Sequence, residues 1–319
     1  MKCKWIKKLT AGIIFLAAVG SLSGCQKAAT SENLFRDIEV NMTSVESAEE
    51  NQIVKLQMGD GDSAISQESN LDIEMTRNPA SVHRKGQQKT NMAGTKETQE
   101  MESYQVEEDG KTVIYSGTDE AWEKNAVEEK ETSSQQTVLF DGLQNLSGAF
   151  NVSQDLATVN KEECFELTGT ISGTQFQETF ADTLKALLGE DSSDLSGWNL
   201  QASEDEENNE ELQQKLNNVK VDCVIDIYRS NILPAKITFD LTDYLKAAGE
   251  ENAQVTSYTL EVTFVSYNDT KKIKVPKAVK ESAKDNGEDE AENSTDEMLE
   301  EENQEATAEA EAAKESSRI

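Results

Sequence analysis

The stretch VKVDCVIDIYRSNILPAKITFDLTDYLKAAGEENAQVTSYTLEVTFVSY, residues 219–267, decides the fold. Three segments inside it, Val219 to Arg229, Ala235 to Asp240 and Gln254 to Tyr267, alternate apolar and polar side chains. That period of two turns one face of a strand toward a core and the other toward solvent. Pro234 stands where the first strand turns into the second, a place that a sheet tolerates because no ladder hydrogen bond is lost. Between the second and third strands, Asp243 to Ala248 reads as a short helix ending on Gly249, a residue suited to a left-handed cap.

The same plan recurs on either side of this stretch. A strand is expected at Glu163 to Ile171, then a helix whose apolar stripe is Phe176, Phe180, Leu184 and Leu187, then an acidic insert from Ser203 to Glu211. Downstream, Lys271 to Val275 reads as a final strand closed by Pro276. Upstream, Leu34, Ile38, Met42 and Val45 recur at helical spacing. Strands at Gln52 to Met58 and Asn70 to Thr76 flank Gly59-Asp60-Gly61-Asp62-Ser63, which reads as a hairpin turn. Further strands follow at Ala80 to Gln87, Thr98 to Val106 and Lys111 to Gly117, the last two joined by Glu108-Asp109-Gly110. A polar stretch, Val127 to Gln136, leads to a second helical stripe at Leu139, Leu143, Leu146 and Phe150. The class is α+β: one curved antiparallel sheet with helices on its concave face would bury both kinds of stripe.

The N-terminus carries a different message. Lys2, Lys4, Lys7 and Lys8 precede an apolar run from Leu9 to Leu22 that ends in small residues, the order found in a secretory signal. The run closes on Leu22-Ser23-Gly24-Cys25, the pattern of a lipobox, in which the cysteine thiol takes a diacylglyceryl group before cleavage. It is shorter than the ~20 residues that a spanning helix needs. Two acyl chains, at about 0.8 kcal/mol for each buried CH₂, anchor a protein stably without one. Gln26 stands where some lipoproteins carry an inner-membrane retention aspartate. The organisation expected is therefore a signal over 1–24, a lipidated tether over 25–31, a folded body over 32–280 and an acidic tail over 281–319. The localisation expected is the extracytoplasmic face of the cell membrane.

The chain has 319 residues and a formal net charge of −32, which disfavours nucleic acid and anionic headgroups as partners. The tail is Glu, Ala, Ser and Asn with almost no large apolar residue. Burial there cannot offset ordering entropy, so the tail reads as disordered, with transient helix at Glu300 to Lys314. After processing the body keeps Cys164 and Cys223 beside the acylated Cys25. An exported protein can hold a disulfide, yet Phe165, Leu167 and Ile171 put Cys164 on the polar face, whereas Val221, Ile225 and Ile227 share a face with Cys223. A cross-strand bridge needs both on one face.

Enzyme chemistry is poorly provided for. The only histidine, His83, stands beside Arg84 and Lys85 in a polar stretch that suits a solvated loop or an exposed strand face. Gly61-Asp62-Ser63 is similar to the nucleophile block of an esterase superfamily, but no later histidine supplies the base. A glycosidase needs two paired carboxylates, and the many here stand in charged runs that pick out no pair. Asp60 and Asp62 lack the later glutamate of a calcium loop. No phosphate loop, Cys-x-x-Cys or basic aromatic surface is found. No enzyme activity, metal or cofactor is expected.

Four pieces carry a resemblance: YSGTDEAWEK (Tyr115 to Lys124), FELTGTISG (Phe165 to Gly173), ILPAKITFDLTDYL (Ile232 to Leu245) and VTFVSYNDTKKIKVP (Val262 to Pro276). Together they resemble an uncharacterised family of Gram-positive lipoproteins, which is similar in turn to the LolA and LprG group. There, a half-open β-barrel wraps around helices and leaves an apolar cavity for acyl chains. The resemblance spans most of Leu34 to Ser282, and the acidic insert and charged tail depart from it. It implies carriage or sensing of a lipid or other apolar ligand. The residues that would line such a cavity are Phe176, Phe180 and Leu184 from the helix, with Phe239, Leu260, Val262 and Phe264 from strands; Trp122 and Trp198 would rim it. The competing expectation is a filled core in a structural lipoprotein that contacts another envelope protein.

Overall fold

A computed structural model describes residues 29–60, 64–118, 121–127, 140, 142–188, 206–248 and 254–285, with the backbone alone at 127, 181–188, 206–211 and 285. Cys25 and its lipobox, Asp62, Trp198, Gly249 and the tail beyond 285 lie outside these residues, as does the side chain of Leu184.

The first element is α1 (Ser31–Met42), whose Leu34, Phe35, Ile38 and Met42 fall on one face and are buried. The Thr30 hydroxyl accepts from the Asn33 amide at 3.3 Å and so occupies one of the free N–H groups at the helix start. Six strands follow: β1 (Ser47–Met58), β2 (Ile65–Thr76), β3 (Ser81–Met92), β4 (Thr95–Glu108), β5 (Lys111–Thr118) and β6 (Ala121–Val127). A 3-10 helix, Leu143–Ala149, leads into β7 (Phe150–Val159) and β8 (Glu162–Ser172). Then come α2 (Gly173–Leu188), α3 (Glu206–Asn217), β9 (Lys220–Tyr228), β10 (Pro234–Asp240), α4 (Thr242–Ala248), β11 (Val255–Tyr267), α5 (Lys277–Ser282) and β12 (Lys284–Asp285).

Among the described residues, twelve strands form one open sheet in the order β12-β6-β5-β4-β3-β2-β1-β11-β10-β9-β8-β7. Every pairing is antiparallel except that of β12 with β6. The two halves are joined where β1 pairs with β11, from Ala48 opposite Tyr267 to Met58 opposite Val255, a contact between segments at opposite ends of the described chain.

The two halves are covered on opposite faces. On the β7–β11 side, α1, the 3-10 helix, α2, α3 and α4 all place apolar side chains into one core with β1 and β7 to β11. On the β4–β6 side the cover is the C-terminal segment, whose Ile273 and Val279 pack on Tyr104, Val106, Val113, Tyr115 and Trp122. The register settles that these are different faces. Trp122 lies opposite Gly117, then Glu102, Lys85, Asp72 and Asn51 strand by strand, and odd-numbered Asn51 points away from the face of β1 that carries Val54 and Leu56 into the core. Thus the helices are wrapped by only part of the sheet. Trp122, expected at a cavity rim, packs beneath the C-terminal segment instead.

Other departures have local causes. Phe150 was expected to end a helical stripe but begins β7: the 3-10 helix stops at Ala149, and the Phe150 backbone is already extended, at φ −112° and ψ 142°. The acidic insert is partly helix, since α3 starts at Glu206 and its buried Leu216 supplies the apolar contact that fixes it. Lys271 to Val275 forms no strand; Ile273 packs there into the cluster on β4 to β6.

Candidate ligand-binding interior

Alternation along β9 to β11 sends Ile225, Ile237, Phe239, Leu260, Val262 and Phe264 toward the helices, and all are buried in one cluster. The expected lining residues fall into two groups. Phe176 and Phe180, one helical turn apart on α2, meet Phe239 at ring-centroid distances of 5.2 and 4.9 Å, and Tyr244 of α4 closes on Phe176 at 5.0 Å. Their edge-to-face geometry is that of well-packed rings. Phe264 stands elsewhere, 5.5 Å from the stacked ring of Tyr267 and 6.1 Å from Phe140. Leu260 pairs with Phe239, and Val262 with Ile237, across β10 and β11.

Beyond Phe264 the same face continues onto β1 and β2 and changes character. Glu50 lies between Phe264 on β11 and Ile73 on β2, and Gln52 lies between Val262 and Leu71. Both are 1 % exposed. Neither carboxylate oxygen of Glu50 and neither polar atom of the Gln52 amide has a hydrogen-bond partner. Burial pushes the Glu50 carboxyl up from 4.5 to about 8, against the opposing attraction of the Arg84 guanidinium, which stands on the next row position across Ile73. Past this polar pair, Ala48, Ile73, Met75 and Val82 form another buried apolar cluster, and among the described residues none of its members is helical. Glu50 and Gln52 were missed from sequence. A signal was present: positions 50, 52, 54 and 56 share a face, and two apolar residues there are preceded by two polar ones.

Of the remaining sequence candidates, Cys223 stands in this core opposite Phe239 on the paired strand, and His83 and Cys164 lie away from it. His83 is on β3, on the face opposite the helices, stacked on Tyr104 with centroids 4.3 Å apart. Its Nε2 is 2.9 Å from Glu102 Oε1 and its Nδ1 3.6 Å from Glu74 Oε2. Burial alone would raise the Glu102 carboxyl, but hydrogen bonds from His83, Tyr104 and Lys85 outweigh it and hold it below its usual value. Cys164 and Cys223 are both free and buried. Cys164 faces Tyr228 and Cys223 faces Gly169 on the paired strands β8 and β9, on opposite faces, as the alternation requires. The Cys164 face is not polar, however, because Val159, Tyr228 and Ala235 cover the thiol. Among the described residues no three His, Cys, Asp or Glu side chains converge as metal ligands.

The model of a family described as "Family of unknown function (DUF6612)" matches residues 30–284. The chain belongs to this family. The match runs from the start of α1 to β12, so the whole described sheet is the family's unit. No curated protein matches the chain. Among solved structures it is similar to LprF from Mycobacterium bovis, at 12 % identity and a TM-score of 0.42 over 77 % of this chain and 96 % of that one. It is also similar to the Mycobacterium tuberculosis lipoprotein LppX, at 14 % identity and 0.40 over 76 % and 98 %. A LolA superfamily protein from Nitrosomonas europaea follows at 10 % and 0.21 over 79 % and 97 %.

Proposed function

We propose that this chain is a non-enzymatic lipoprotein, anchored by acylated Cys25 to the extracytoplasmic face of the cell membrane, that binds or carries a lipid or other apolar ligand between its sheet and its helices. One observation carries the ligand reading. The apolar face of the sheet does not stop at the helices but runs on, past Glu50 and Gln52, to the strand-only cluster of Ala48, Ile73, Met75 and Val82. A buried apolar lining that continues beyond the helices suits an acyl chain, and a few polar groups on an apolar lining are the usual make-up of a ligand site. Phe264, Val262 and Leu260 lie on the route between the two clusters. Phe176, Phe180, Phe239 and the α2 position Leu184 belong to its far end. With five residues between Cys25 and Ser31, the body is held close to the bilayer, and a chain of net charge −32 is held there by its lipid and not by anionic headgroups.

The test is native mass spectrometry of the chain purified without detergent exchange. Co-purified lipid is expected; a lipid-free chain that also takes up none from vesicles overturns the reading. Anchoring is tested separately: Cys25→Ala should move the chain from the membrane to the soluble fraction. A second reading, an interaction lipoprotein without a ligand cavity, draws on the close ring packing of Phe176, Phe180, Phe239 and Tyr244. Crosslinking in intact cells that recovers one recurrent envelope protein, with no lipid bound, favours it.

A further inference from the structure

Buried polar atoms are ordinarily hydrogen-bonded, because an unpaired donor or acceptor away from water forfeits its hydration with nothing in return. The adjacent inward positions 50 and 52 of β1 hold four such atoms, two carboxylate oxygens and both ends of an amide, with no partner in the protein. Their cross-strand neighbours Phe264, Ile73, Val262 and Leu71 offer no polar side-chain group. The pair also sits at a boundary, with the helix-covered core on one side and the strand-only cluster on the other. A filled core would place apolar residues here, as β1 does two and four positions later at Val54 and Leu56.

We propose that Glu50 and Gln52 form the polar station of the ligand site and hydrogen-bond an uncharged, hydroxyl-bearing group of an amphiphile whose chain lies along the apolar face. The inference rests on the ligand-binding reading above and adds the chemistry of the group recognised. With burial keeping its proton on at neutral pH, the Glu50 carboxyl offers one O–H donor and one acceptor oxygen, and the Gln52 amide offers one NH₂ and one acceptor oxygen; such a set calls for a group that both donates and accepts, which is the character of hydroxyls. Charge decides against the alternatives. A cationic group would meet the Arg84 guanidinium, whose field already reaches Glu50. An anionic group, though drawn by Arg84 two strands away, would press on the acceptor oxygens of Glu50 and Gln52 themselves. Both would do so where water is excluded and the cost of an ill-matched charge is high.

Three probes with one acyl chain separate the possibilities: monooleoylglycerol, methyl oleate and oleate, each competing with a fluorescent fatty-ester probe on the delipidated full chain. Monooleoylglycerol is expected to bind about 10-fold more tightly than methyl oleate, the scale of a well-made buried hydrogen-bonding group. Glu50→Leu and Gln52→Leu should each reduce that ratio to about 2-fold or less and leave methyl oleate unaffected; Glu50→Gln, closest to the native shape, keeps the test open if the leucine variants do not fold. Equal binding of monooleoylglycerol and methyl oleate to the native chain overturns the inference and leaves apolar binding standing, with water as the partner of the four atoms. Tighter binding of oleate overturns the uncharged assignment. Failure of all three probes overturns the ligand-binding reading itself.

Discussion

Glu50→Gln should remove most of the pH dependence of stability between pH 6 and pH 8.5. Burial raises the Glu50 carboxyl from 4.5 to about 8 in the folded chain, so the native state holds its proton over an interval in which the unfolded state has already released it. A group raised in this way contributes stability that is complete below pH 4.5 and is lost as pH climbs through about 8. At about 1.4 kcal/mol per pKa unit, the whole interval corresponds to about 5 kcal/mol and the part above pH 6 to about 3 kcal/mol. Restricting the comparison to pH above 6 matters, because burial also raises Asp226, to about 6, and that group acts at lower pH. Urea unfolding of the delipidated chain at half-unit steps should show the native protein losing about 3 kcal/mol from pH 6 to 8.5, while Glu50→Gln stays nearly level and overtakes it. Parallel curves for the two proteins would refute the argument, since they would mean that the carboxyl is solvated or paired in the folded state.

Phe176→Ala removes a ring that touches Phe180, Phe239 and Tyr244, and should cost about 3–5 kcal/mol in the same assay; a loss below about 1 kcal/mol would mean that the rings do not form a packed core. Gly169→Ala places a methyl 2.6 Å from the Phe150 ring that lies over Gly169, so the strand pair β7–β8 should lose about 1–3 kcal/mol. The cost should fall when Phe150 is also replaced by alanine, the two sites being coupled. Cys164 and Cys223, both buried and with thiols pushed up chiefly by burial, should resist alkylation until the chain is unfolded. Reductant should leave the unfolding midpoint unchanged; a shift would reveal a disulfide.

Most strands of this chain are legible because their side chains alternate, and alternation is a local property. Residues 219–267 specify β9, β10, α4 and β11 almost to the residue, since Val221 to Ile227 and Tyr258 to Phe264 repeat every second position and Pro234 marks the turn between. The same rule put Cys164 and Cys223 on opposite faces without any coordinates. It failed for β6 and β7, edge or near-edge strands whose sequences, AWEKNAV and FNVSQDLATV, bury too little to alternate cleanly. It failed as well for the C-terminal segment, where Ile273 and Val279 gain their burial from β4 to β6 and not from neighbours in sequence.

By itself, then, the sequence determines the period of each element, the face each strand turns inward, and the charge pattern that separates leader, body and tail, all of which depend on residues a few positions apart. That β1 joins β11 and so makes two half-sheets into one is set by the folded chain, because hydrogen-bonded pairing between such distant segments leaves no periodic trace in either strand. The same join decided the site. Glu50 and Gln52 are unremarkable polar residues in SAEENQIVKLQM until β11 brings Phe264 and Val262 alongside and β2 brings Ile73 and Leu71, and what the pairing then excludes is water.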